Sequence, residues 1–164
     1  MKIINLFKTK STLQKVYIIL SLIAVTALCC YIYYLSAETA DVSSQTSEGV
    51  IAFLERLFGY AFTQDEIRTA AHFCEYALLG FLFINFFYSV RSKIYYIPSA
   101  LISWVYAWSD EIHQLFVDGR AFQFSDLAVD LGGILSGCLA FTVLAAIIKK
   151  IAEHRKEKNG ITAE

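Results

Sequence analysis

The sequence predicts an all-α integral membrane bundle of four transmembrane helices, with a short interfacial amphipathic helix between spans one and two. Its 164 residues are 57% hydrophobic with a positive mean hydropathy, too apolar for an ordinary soluble domain. The apolar residues gather in runs close to the roughly 20 residues that cross about 30 Å of hydrocarbon. A single proline leaves these runs almost uninterrupted, and the length leaves no room for a separate soluble domain. Residues 1–164 therefore read as one membrane domain whose first partner is the lipid bilayer.

Span one is placed at about 16–35, after Lys2, Lys8, Lys10 and Lys15. Its apolar run exceeds the roughly 7–15 residues of a signal-peptide core and ends in Tyr31, Tyr33 and Tyr34, which suit an interfacial belt, instead of a cleavage motif. The polar stretch from Ser36 to Gly49, with Glu38, Asp41, Ser43, Ser44, Ser47 and Glu48, reads as a loop. From Val50 to Phe62, Val50, Phe53, Leu54, Leu57, Phe58 and Ala61 recur at helical spacing with Glu55 and Arg56 opposite, which predicts the amphipathic helix. Span two is expected at about 67–90. Span three, at about 94–113, is long enough only if its polar end continues the helix. Span four is expected at about 127–148, before a cytoplasmic tail over 149–164.

Basic residues orient the bundle, because short cytoplasmic loops are enriched in them. The N-terminus, the Arg91–Lys93 connection and the tail hold eleven of the fourteen Lys and Arg residues, so both termini are expected in the cytoplasm. Nothing in the charge pattern points to nucleic acid. Cys29, Cys30, Cys74 and Cys138 lie in or beside apolar segments without CxxC spacing and are expected to be buried small hydrophobes.

With this topology three polar stripes converge at the outer leaflet. Arg68, His72, Glu75 and Tyr76 share one helical face of span two. Asp110, His113 and Gln114 share a face of span three, with Glu111 about 100° around the helix. Asp126, Asp130, Gly133 and Gly137 form the third stripe. Ionisable groups at mid-membrane cost about 2.5–3.5 kcal/mol each and usually face the bundle interior, so these residues predict a polar pocket. Arg120, in the turn Val117-Asp118-Gly119-Arg120, has the fork geometry for an anionic group; a salt bridge to Asp118 or Asp126 is the plainer reading. A purely ion-paired network of Arg68, Glu75, Asp126 and Asp130 would account for the stripes as well. His72, Glu75, Glu111 and His113 are possible metal ligands, without any HExxH pattern. A metal-free acid–base pair, His72 or His113 with Glu75, Glu111 or Asp130, fits the same spacing. Gly132, Gly133 and Gly137 with Ser136 and Ala140 suit close helix packing. Trp104, Tyr106 and Trp108 read as interfacial anchors.

The stretch Ser109-Asp110-Glu111-Ile112-His113-Gln114-Leu115-Phe116-Val117-Asp118-Gly119-Arg120, followed by Phe124-Ser125-Asp126 and Asp130-Leu131-Gly132-Gly133, resembles the signature of VanZ-like membrane proteins. Ala71-His72-Phe73-Cys74-Glu75-Tyr76 with Leu79-Gly80 resembles the family's His-Phe-x-Glu-Tyr element, and Arg68 stands where the family carries a basic residue. The serine-rich passage after Tyr34-Leu35-Ser36-Ala37-Glu38 is similar too, so the resemblance runs from about residue 16 to 148. Asp118 departs from it, since many members have proline there; the substitution puts an acid beside Arg120. The resemblance implies a cell-envelope role, and its namesake is associated with low-level resistance to the glycopeptide teicoplanin.

Three functions stay open on these residues. The pocket engages an anionic lipid-linked or cell-wall ligand through Arg68, Arg120 and the histidines. Alternatively the chain is an intramembrane hydrolase or transferase working through His72, Glu75, Asp110, Glu111, His113, Asp126 and Asp130. In the third reading it is a structural or partner-binding subunit whose polar stripes only hold helices together.

Overall fold

The computed structural model describes residues 9–158, among which five helices and no strands are found. Lys2, Lys8 and the end of the basic tail lie outside these residues. The helices are α1 (Thr12–Ser36), α2 (Ala40–Phe58), α3 (Gln64–Arg91), α4 (Tyr96–Gln114) and α5 (Phe124–Lys158). Local chemistry sets their ends. Ser11 and Gln14 form a capping box at the start of α1, and Thr63 and Glu66 form one at the start of α3, each satisfying backbone N–H groups that a helix start leaves unpaired. Gly59 ends α2 in the left-handed conformation, φ +68°, which costs glycine least.

Two expectations are corrected here. Residues 40–49, read as loop, form the first half of α2, and that helix stops at Phe58 rather than Phe62. The polar run that suggested a loop is accommodated in the helix, where two of its hydroxyls bond back to carbonyls four residues earlier: Thr46 Oγ1 donates to the Val42 carbonyl at 3.1 Å and Ser47 Oγ to the Ser43 carbonyl at 2.9 Å. The cysteines are all free thiols, and Cys138 alone is buried; Cys30 and Cys74 are exposed on the outer faces of α1 and α3.

Three helices, α1, α3 and α5, are long and apolar enough to cross a membrane. α4, with 19 residues, has the length but not the mean apolarity, because its two sides differ. Ile97, Leu101, Val105 and Ile112 are exposed on one side, while Ser99, Ser103, Asp110, Glu111 and Gln114 are buried on the other.

α3 and α5 form the most extensive contact and run parallel. Three hydrogen bonds between them share one sequence offset: Arg68 to Asp126, His72 to Asp130 and Cys138 to Gly80, each 58 residues apart. Small residues permit this approach. A Cβ on Gly137 would sit 1.8 Å from the Ala77 carbonyl oxygen, and one on Gly133 or Gly80 would lie 2.5 Å from the Phe73 or Ile134 carbonyl oxygen, as in small-xxx-small packing of membrane helices. α1 is clasped by polar bonds to its neighbours. Asn85 Nδ2 donates to Ser21 Oγ at 3.1 Å, the Tyr17 hydroxyl donates to Asn85, and the Tyr106 hydroxyl donates to the Cys29 carbonyl at 2.5 Å. Tyr106, expected as an interfacial anchor, thus turns partly inward.

Candidate functional site

The start of α3, the end of α4 and the start of α5 meet at one level of the bundle. Arg68 Nη2 donates to Asp126 Oδ2 at 2.8 Å and to Gln114 Oε1 at 3.3 Å, tying all three helices together. One turn deeper, His72 Nδ1 lies 3.1 Å from Asp130 Oδ1. An ionised Asp130 can only accept, which places an imidazole proton on Nδ1, and Nε2 is turned toward Asp126 Oδ2 at 4.0 Å. Asp130 and Glu111 are fully buried. Glu111 Oε2 accepts from the Gln123 backbone N–H at 2.9 Å, while Glu111 Oε1 and Asp130 Oδ2 have no hydrogen-bond partner among the described residues.

Beside this cluster lies a cavity of about 260 Å³. Arg68, His72, Glu75 and Asp110 contribute to its inner wall, and Arg120 and Glu38 come from the connecting turns. The outer wall is α2, through Ser43, Thr46, Ser47 and Val50. These hydroxyl residues were missed as site residues when the segment was read as loop; their i, i+3, i+4, i+7 spacing with Val50 was the available signal.

The turn that carries Arg120 is docked on the start of α2. Ala40 N–H donates to the Asp118 carbonyl at 3.2 Å, and Arg120 Nε donates to the Glu38 carbonyl at 3.2 Å. Gly119 has φ +75°, and a Cβ there would lie 2.8 Å from the Ala40 Cβ. The tight turn thus forms in this chain with Asp118 before the glycine. Arg120 makes no ion pair with Asp118 or Asp126 among the described residues. Its burial, and next the neighbouring Arg68 cation, push its guanidinium below the usual arginine range, opposed by Glu38, Asp110 and Asp126.

Of the four side chains read as possible metal ligands, His72 and Glu111 come together with Asp126: each offers one ligand atom, all within 4.8 Å of one another. Glu75 faces the cavity instead. His113 turns toward α1 and stacks on Tyr33, ring centroids 4.6 Å apart. Tyr76 is fully buried below His72, their rings stacked at 6.4 Å.

Apolar helices that keep their charges in a chamber between them define a helical membrane protein with an internal polar site. The family model described as VanZ/LLP1 matches residues 18–146, and the chain belongs to this VanZ-like family. No curated protein and no solved structure matches it.

Proposed function

We propose that this chain is a four-span cell-envelope protein, both termini cytoplasmic, whose chamber opens outward and holds the anionic headgroup of a lipid-linked or cell-wall ligand. α4 serves as span three of the four: 19 residues rise about 28 Å, its exposed side is largely apolar, and Asp110, Glu111 and Gln114 face the bundle. The observation that carries the ligand reading is that Arg68 and Arg120 line the same cavity. A half-buried guanidinium beside a second one, with only a backbone carbonyl on its Nε, is compensated by a phosphate or carboxylate entering the cavity. The apolar flank that Ile32 and Leu35 of α1 and Val50 of α2 give the cavity suits a ligand whose apolar part stays in the bilayer. Glycopeptide resistance follows in this reading only where the bound group belongs to the cell-wall pathway.

The test uses purified protein in detergent with farnesyl phosphate and farnesol as paired probes. Farnesyl phosphate is expected to bind and farnesol to bind at least ten-fold more weakly. Arg120→Gln should reduce the phosphate's affinity about ten-fold or more, the scale of one charge-assisted hydrogen bond. Equal binding of the two probes would sink the reading.

A second reading, an intramembrane hydrolase or transferase, is favoured by the buried His72–Asp130 pair with Glu75 in the adjoining wall. This is the arrangement of an oriented base beside a second proton carrier. Glu75→Gln should then abolish turnover while leaving binding of the probe intact.

A further inference from the structure

We propose that His72, Glu111 and Asp126 form a divalent-metal site beside the chamber, behind His72, with Asp130 as the residue that positions the histidine. The three ligand atoms lie within 4.8 Å of one another. Around a metal with bonds of about 2.1 Å, tetrahedral ligands sit roughly 3.4 Å apart. The 4.0 Å between His72 Nε2 and Asp126 Oδ2 closes by small side-chain rotations.

Two independent features point to a cation. Glu111 is fully buried with one carboxylate oxygen unpartnered, an expensive state for a carboxylate in the interior of a membrane bundle. A cation between Glu111 and Asp126 relieves it. His72 has its Nδ1 held by the buried Asp130, which leaves Nε2 facing Asp126 Oδ2 at 4.0 Å. Such a carboxylate–histidine pairing fixes the tautomer and ring orientation of metal-bound histidines.

One nitrogen and two carboxylate ligands leave coordination positions free, the arrangement of sites that take an exogenous oxygen rather than of closed structural sites. His72 alone of the three ligands lines the cavity, so the chamber reaches the site along the His72 side. Imidazole with carboxylates suits Zn²⁺ or Mn²⁺. The site requires only these side chains and stands whether or not the chamber binds a lipid-linked anion.

The deciding experiment is equilibrium dialysis of EDTA-stripped, detergent-purified protein against Zn²⁺, read by elemental analysis. One Zn²⁺ per chain is expected. Glu111→Gln and Asp126→Asn should each weaken binding at least ten-fold, Asp130→Asn by about 10–100-fold, and His113→Ala not at all. X-ray absorption of the zinc-loaded wild-type protein needs no variant; a nitrogen and oxygen shell with one imidazole is expected. Substoichiometric binding, binding unchanged by Glu111→Gln and Asp126→Asn, or a sulfur-rich shell would overturn the site. Farnesyl phosphate binding measured on the same stripped protein separates failure of the metal site from failure of the ligand reading.

Discussion

His72 and Asp130, on parallel helices, meet through Nδ1 and Oδ1 at 3.1 Å in a position where the aspartate has no access to solvent. Both partners depend on the pairing. Asp130→Leu leaves the imidazole N–H buried without an acceptor and is expected to lower stability by about 1–3 kcal/mol. The double variant His72→Leu with Asp130→Leu should recover much of that loss, because neither polar group is then left alone. Unfolding in detergent with EDTA present measures the parent, the two single variants Asp130→Leu and His72→Leu, and the double variant. Additive losses would show that the pair is not coupled.

The crossing of α3 and α5 tolerates no side chain at Gly137. Gly137→Ala places a methyl 1.8 Å from the Ala77 carbonyl oxygen, which only a shift of backbone can relieve, at a cost of about 1–3 kcal/mol or more. Gly132, on the same helix, has Phe73 Cε2 as its nearest neighbour at 3.9 Å. Gly132→Ala should leave the melting temperature within a degree or two of the parent, whereas Gly137→Ala should lower it markedly.

Gly119 and Gly59 both have positive φ, but their surroundings differ. At Gly59 nothing lies within 4 Å of an added Cβ; at Gly119 the Ala40 Cβ is 2.8 Å away. Gly59→Ala should therefore cost only the conformational penalty, about 1 kcal/mol. Gly119→Ala should also loosen the start of α2 from the turn. Limited proteolysis between α1 and α3 reads the difference, with faster cleavage expected in Gly119→Ala alone.

Orientation is tested with single cysteines at Gln45, Asp118 and Ser92 on a background cleared of the native cysteines, of which Cys30 and Cys74 are exposed. An impermeant thiol reagent applied to intact cells should label Gln45 and Asp118 and spare Ser92. Labelling of Ser92 alone would turn the chamber toward the cytoplasm and remove the envelope-facing role.

The spacing of polar residues already placed Arg68, His72 and Tyr76 on one helical face, and Asp126 and Asp130 on another, because a helix repeats every 3.6 residues whatever surrounds it. Hydropathy likewise marked α1, α3 and α5, since their composition departs so far from that of soluble helices. α2 was half hidden for a local reason. Hydroxyl side chains favour loops in general, and these are accommodated in a helix by bonding back to carbonyls four residues earlier.

What the sequence by itself determined, then, is the three most apolar helices and the polar faces of α3 and α5, together with the family signature they carry. The tertiary structure alone decided which inward residues meet. The parallel register of α3 on α5, made possible by Gly80, Gly133 and Gly137, pairs position 72 with position 130 and brings the α4 terminus up to both. Glu111 thereby joins His72 and Asp126, while His113, two residues further along α4, is carried round to Tyr33. Periodicity fixes direction around one helix axis, and only the packing of backbones against each other fixes the rotation and height of one axis relative to the next.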